Sequence, residues 1–316
     1  MDFKENLVCD CIILKPRLSE FGNSLSYCDF DICGKTMLDW VRECVPVTNV
    51  TEVECDENFK NEVEVIQPFL KDGKYTVVLY ANMPLVYSET IKSLINYTKL
   101  KDLTIAKSGE INIYRTDYIK TNVPISKDYQ EIGEADRSQF LRCKDYDSYC
   151  KICAIMQSNI IEAHLKNGVK IENPSSVVID ANSSFGKNVF IKSNSVFKNT
   201  TIFDNVIVGE NCILKYAVIE ENVEIKPNNI IEKSKISKGC VMDYNNIINN
   251  SILGENVKCT NSKIDSSKIA NNCIIKAFCV IMQTYLCENV TLENYVKILE
   301  KKIKEGAKIK PFSILE

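Results

Sequence analysis

At 316 residues the chain has room for about two domains, each with a core of its own. A formal net charge of −3 supplies no basic footprint, which argues against nucleic acid as the main partner, and no run of like charge marks an interaction tail. The opening MDFKENLVCDCIIL lacks the layout of a secretion signal and no stretch nears the roughly 20 apolar residues of a membrane span, so a cytoplasmic protein without membrane association is expected.

The first elements are of mixed type. Residues 6–14 and 74–81 are apolar runs of strand length, whereas 35–44 has helical spacing through Met37, Leu38, Val41 and Cys44. A further helix is expected from Ser88, with Ser88 as its cap and Glu89 in the first turn. Strands alternating with helices predict a mostly parallel α/β sheet over residues 1–137. From Ser138 the pattern becomes helical and closes on Gly168, giving a connecting helix over 138–168.

The second run stops at Ala81-Asn82 in VVLYANMPLV. Strand ends of α/β sheets face the crevice in which ligands bind, so Asn82 is a candidate functional residue; asparagine is equally a common way to leave a strand. Among the fifteen cysteines only Cys150 and Cys153 have CxxC spacing, and with one histidine, His164, in the chain a four-ligand zinc site is disfavoured. Free buried thiols are the expectation. Glycine is scarce, with 11 residues, about half the usual usage of roughly 7%.

Beyond Gly168 the period changes. From Ile202 apolar residues recur in steps of six, six and five, so that a triplet returns at constant interval through Ile202, Ile219, Ile236 and Leu253, then Ile269, Leu286 and Ile303, with one step shortened between Cys259 and Ile269. Two places before each of the 21 apolar positions stands a small residue; the exceptions are Asn229, Asn246 and Lys301. Positions i and i+2 of a strand share a face, so each short segment contributes one large and one small inward side chain. Three such faces per repeat make a triangular coil, and 169–316 is predicted to be a parallel β-helix. Cys212, Cys240, Cys273 and Cys279 fall on its small inward positions and Cys259 on a large one.

Hexads such as VGENCI and LGENVK resemble the left-handed β-helix of hexapeptide acyltransferases, and that resemblance implies the left hand and a homotrimer with parallel coil axes. The stretch 155–180 is similar to the join between the two domains of the bifunctional bacterial N-acetylglucosamine-1-phosphate uridyltransferase/glucosamine-1-phosphate acetyltransferase family. ICGKTMLDWV resembles that family's Gly-Lys-Pro-Met-Leu helix start, VVLYANMPLV its Gly-Asp-x-Pro-Leu strand end, and GEINIY its Glu-Ile-Asn-Thr-Gly segment. The likeness is strong over 131–316, patchy over 6–45 and 75–95, and poor between, so it implies a shortened, divergent member with a truncated nucleotidyltransferase-like domain.

The implied reaction joins a sugar 1-phosphate to the α-phosphate of UTP and releases pyrophosphate, with Mg²⁺ neutralising charge. The resemblance places Asn82 where the family has its metal-binding aspartate and Asn112 where it has a second ligand; Arg17 and Lys35 are the candidate phosphate contacts. The family's glycine-rich signature is replaced by LKPRLSEFG at 14–22, which has lost both cradle glycines. The implied acetyl transfer uses a histidine base within the coils, and no histidine follows His164. His164 lies on the entry helix, where a structural or solvent-facing role is favoured.

Three readings follow. The first is a degenerate paralogue of UDP-N-acetylglucosamine pyrophosphorylase with weak or no catalysis that can still bind UTP or a UDP-sugar. The second is an active nucleotidyltransferase with a remodelled site, recruiting Asp29 or Asp31 for Mg²⁺. The third is a β-helix acyltransferase or trimeric scaffold. No other cofactor is implied.

Overall fold

The computed structural model describes residues 9–17, 26–121, 130–131, 133 and 136–316. Contacts divide the chain into two units, Met1–Met156 and Gln157–Glu316.

In the first unit the strands are β1 (Cys9–Arg17), β2 (Asp31–Ile32), β3 (Lys35–Thr36), β4 (Asn49–Asp56), β5 (Tyr75–Tyr80), β6 (Ile105–Ser108), β7 (Ile111–Arg115) and β8 (Gln130–Glu131). The main sheet has the order β4-β1-β5-β7-β6-β8, with β2 and β3 forming a separate hairpin. β1 is parallel to β4 and β5, β7 is antiparallel to both β5 and β6, and β6 is parallel to β8. All six residues of β5 are buried, as a strand covered on both faces requires. The helices are α1 (Met37–Cys44), α2 (Glu62–Ile66), α3 (Ser88–Leu100) and α4 (Thr116–Thr121), and α5 (Tyr146–Lys166) has residues in both units.

Three local expectations are corrected. β1 does not end at Leu14: its last three residues continue along β4, pairing Lys15, Pro16 and Arg17 with Glu54, Cys55 and Asp56. Pro16 is tolerated because β5 has already left that edge after Leu14, so a missing N–H breaks no ladder with it. α1 begins at Met37, because the Thr36 hydroxyl accepts from Asp39 N at 3.1 Å and caps it. α3 has Tyr87 at its cap position without a side-chain bond, so Ser88 opens the helix rather than capping it. The helical pattern from 138 also resolves into pieces. A 3₁₀ turn, Arg137–Phe140, precedes an irregular segment, and α5 starts after Asp145, whose carboxylate accepts from Ser148 N at 2.7 Å. α5 stops as predicted, with Gly168 at φ +89.

The second unit is a left-handed parallel β-solenoid of hexapeptide repeats, about nine turns long, with three sheets of nine, eight and nine short strands. The predicted inward positions are the core: Leu214, Ile231, Ile248, Leu253 and Ile281 are fully buried, as are Cys212, Cys240, Cys259 and Cys273. The shortened step is a single coil one residue shorter than its neighbours: Ile248 pairs with Ile264 and Cys259 with Ile275, whereas Ile231 in the preceding coil pairs with Ile248.

Two of the three exceptions to the small-residue rule lie inside. The Asn229 amide donates to Lys226 O at 2.6 Å and Asp243 O at 2.8 Å. Asn246 donates to Asp243 O at 2.7 Å and Cys259 O at 3.1 Å, and its oxygen accepts from Ser262 N at 3.0 Å, bridging the shortened coil. A buried amide is stable there because both its ends are bonded. Lys301 is solvent-exposed.

The corners carry a pattern that the apolar count did not reveal. Left-handed backbone recurs there in columns such as Asn188, Asn205 and Asn222, or Asn194, Asn211 and Asn228. Asparagine adopts φ > 0 more readily than other side chains. The stacked amides also bond one another, Asn188 to Asn205 at 3.1 Å and Asn211 to Asn228 at 3.2 Å.

One face of the solenoid is distinct. Its paired outward residues are Val178, Val196, Ile213, Ile230 and Ile247 without interruption, then Lys263, Val280, Lys297 and Ile314. Val178, Ile230 and Ile247 are exposed. The corresponding column of the eight-stranded face, Ser184, Thr201, Val218, Lys235 and Ile252, mixes polar with apolar residues.

Candidate functional site

The carboxyl end of β5 is closed rather than open. Ala81 N donates to Leu14 O at 2.8 Å, extending the ladder by one residue, and Met83 N turns back to Tyr80 O at 3.1 Å. Asn82, between them, is fully buried. Its Nδ2 donates to Cys143 O at 2.8 Å, its main-chain oxygen accepts from Cys143 N at 2.8 Å, and its Oδ1 accepts from Arg142 Nε at 3.3 Å. An amide suits this position because one side of it must donate and the other accept; a carboxylate can only accept.

Arg142 and Cys143 are carried here by the segment between the 3₁₀ turn and α5. Gly109, in the β6–β7 turn at φ +53, makes room for the Phe140 ring, which would collide with any Cβ there. Thr90 donates to Gln139 Oε1 at 2.7 Å, and the Asp145 cap holds the other end.

Arg142 then links two halves of a network. Its guanidinium lies 3.8 Å from the centroid of the Tyr80 ring, and Nη1 is 3.6 Å from Glu110 Oε2. The Tyr80 hydroxyl donates to Glu62 Oε2 at 2.5 Å, Tyr114 donates to Glu62 Oε1 at 2.9 Å, and Asn112 Nδ2 donates to both Glu62 oxygens at 2.9 and 3.1 Å. Burial first, and the Glu62 charge second, hold both phenols well above their ordinary pKa. Phe59 lies parallel to the Tyr80 ring at 6.4 Å.

The structure therefore brings Asn82 and Asn112 into one network, and pairs the other two candidates with carboxylates. Arg17, at the end of β1, is bonded to Glu54, with both side chains largely exposed. Lys35 Nζ lies 2.7 Å from both Glu43 oxygens and 4.8 Å from the Trp40 ring centroid. Leu18, Glu20, Phe21 and Gly22, part of the altered glycine-rich signature, lie outside the described residues. Asp31 Oδ1 accepts from Gly34 N at 3.1 Å, and Asp29 is in the 3₁₀ turn Tyr27–Asp29. His164 packs edge-on against Phe185 at 4.9 Å, and burial lowers its pKa. All fifteen cysteines are free, and Cys150 is exposed.

The Mg²⁺ implied by the resemblance does not fit these residues. The oxygen of Asn82 faces a guanidinium, and Asn112 turns its nitrogen towards Glu62. Among the described residues no three His, Cys, Asp or Glu side chains converge on a common point that could hold a metal ion. Glu62, Tyr80, Tyr114 and Arg142 had not been singled out in the sequence: Glu62 and Arg142 stand 80 positions apart, and no local spacing connects them.

Comparison with known proteins gives one family match and several similar structures. Residues 147–232 match the family model described as GlmU-like, C-terminal hexapeptide. That stretch runs from α5 into the first coils and leaves the larger part of the chain outside the match. No curated protein gives a sequence match. Among solved structures, the chain is similar to a CMP:2-keto-3-deoxy-manno-octonic acid synthetase complexed with CTP, with TM-score 0.39 and 11% identity over 48% of this chain and 99% of that one. It is also similar to the UDP-N-acetylglucosamine O-acyltransferase of Moraxella catarrhalis RH4, with TM-score 0.30 and 19% identity over 45% of this chain and 65% of that one. For the UDP-N-acetylglucosamine acyltransferase of Campylobacter jejuni the TM-score is 0.25, with 16% identity over 46% of this chain and 70% of that one. No helix among the described residues is long and apolar enough to cross a membrane.

Proposed function

We propose that this chain is a catalytically silent relative of UDP-N-acetylglucosamine pyrophosphorylases, cytoplasmic, with a nucleotidyltransferase-like N-terminal unit that binds UTP or a UDP-sugar without turning it over. The observation that carries this reading is the state of Asn82. The residue at the strand end where the resemblance expects a metal-holding carboxylate is a buried amide, and its donor and its acceptor are both committed to the 142–143 segment. Free thiols throughout the chain support a reducing compartment. The solenoid is proposed to assemble three copies through its aliphatic face, where five successive coils carry an unbroken aliphatic column with Val178, Ile230 and Ile247 exposed, a clustering that marks interaction surfaces.

Release of pyrophosphate from UTP with N-acetylglucosamine 1-phosphate or glucosamine 1-phosphate, in the presence of Mg²⁺, tests the loss of catalysis. Background release is expected, and turnover at ordinary enzyme rates of about 1 s⁻¹ or more would refute it. Calorimetric titration with UTP and UDP-N-acetylglucosamine tests the binding claim, and a stable monomer in sedimentation would rule out the trimer.

A further inference from the structure

We propose that Arg142 is a resident cation of the N-terminal unit, taking up within the chain the place and part of the charge for which a divalent ion would otherwise be needed, so that the site is complete without metal. The inference rests on the reading that this strand end corresponds to a nucleotidyltransferase metal position.

The surroundings of Arg142 are those of a bound cation. An amide oxygen is on Nε at 3.3 Å, a carboxylate is near Nη1 at 3.6 Å, and the face of an aromatic ring lies 3.8 Å from the guanidinium carbon. A second carboxylate, Glu62, stands one bond further on through the Tyr80 hydroxyl. Amide and carboxylate oxygens are what a hard cation selects, yet here they surround a planar fork. The Arg142 side chain is only 11% exposed, and a charge so deeply placed is stable only when paired. Its Nη2 is buried and makes no hydrogen bond among the described residues, so the guanidinium fills its space without exhausting its donors.

Two consequences connect the cation to the sequence. A divalent ion brought to the Asn82 oxygen would meet a fixed positive charge in partly desolvated surroundings, where repulsion is weakly screened. A neutral residue at position 82 adds no third negative charge beside Glu110 and Glu62, which Arg142 offsets in part, and its amide nitrogen ties down Cys143.

The test uses the full chain, with Mn²⁺ as the probe because its free form is measured directly by electron paramagnetic resonance. The single tryptophan, Trp40, lies in the same unit, donates from its indole N–H to Ile32 O at 2.9 Å, and reports unfolding of that unit by fluorescence. Wild type is expected to leave millimolar Mn²⁺ free and to melt at the same temperature with Mn²⁺ or with chelator. The double variant Asn82→Asp/Arg142→Ala vacates the place and adds a carboxylate. It is expected to melt lower than wild type without metal, to bind Mn²⁺ at least tenfold more tightly than wild type, and to recover saturably as Mn²⁺ is added. Saturable binding of Mn²⁺ by wild type overturns the proposal, and this measurement holds even where the variant does not fold. A folded double variant indifferent to Mn²⁺ overturns it as well. Metal binding by wild type without pyrophosphate release would overturn this inference alone, whereas metal-free turnover would overturn only the proposed loss of catalysis.

Discussion

Replacing Asn82 by aspartate restores the carboxylate that the strand-end resemblance expects, and the structure indicates that it will damage the unit instead of activating it. The change removes the donor to Cys143 O at 2.8 Å and sets a carboxylate oxygen against that carbonyl in a fully buried place. An unsatisfied buried group costs about 1–3 kcal/mol. The remaining oxygen gains charge opposite Arg142 Nε, and strengthening one hydrogen bond from neutral to charged returns about 1 kcal/mol. From the middle of the first range the net is a loss of about 1 kcal/mol, which for a unit of this size lowers the melting temperature by roughly 2–4 °C. Trp40 fluorescence follows that transition separately from the solenoid, which is followed by far-ultraviolet circular dichroism. A Trp40 melt equal to or above wild type, or Mg²⁺-dependent release of pyrophosphate by Asn82→Asp, would show that the clamp to Cys143 has been misjudged.

Neighbouring positions on one solenoid strand separate folding from assembly: Ile248→Ala, inside, should cost about 2–5 kcal/mol, whereas Ile247→Ser, outside, should change the melt by less than about 0.5 kcal/mol at a dilution where both proteins are monomeric, yet shift sedimentation at higher concentration from trimer to monomer. Equal effects on the melt would contradict the assignment of the two faces. His164 has its pKa lowered by burial, so its stabilising contribution is present above the unfolded value of about 6.5 and fades as pH falls from there towards the lower folded value. The solenoid melt should drop over that window, and a His164→Gln variant that retains the same pH dependence would remove His164 as its source. Burial pushes the Cys212 thiol up to about 11 and Cys240 to about 12, so alkylation of the native protein should mark exposed Cys150 and leave those two unlabelled. Labelling of Cys240 at the rate of Cys150 would mean that the coils open.

The two units were not equally open to being read from sequence. In the solenoid each coil touches only its neighbours, so the period along the chain is also the period in space. Ile231 and Ile248 are one full repeat apart in sequence and adjacent in the sheet, and the shortened coil near Cys259 was visible as a missing residue. The asparagine corners were present at the same interval, but reading apolar residues alone passed over them. The element types of the N-terminal unit were also recoverable, with errors at the end of β1 and the start of α3 because termini depend on single bonds.

For this protein, then, residue periodicity alone determined the coil, its core thiols and its repeat, because local contacts carry that fold. What Asn82 does was decided only by tertiary structure. Its identity was plain in VVLYANMPLV, but its partners Arg142 and Cys143 lie far along the chain, brought there by the packing of Phe140 at Gly109 and the cap on α5. Glu62 reaches Asn112 across 50 positions in the same way. Spacing along a chain reports neighbours on one element, whereas a buried polar network is assembled from the ends of several, and its members are joined by burial and hydrogen bonding rather than by order in sequence.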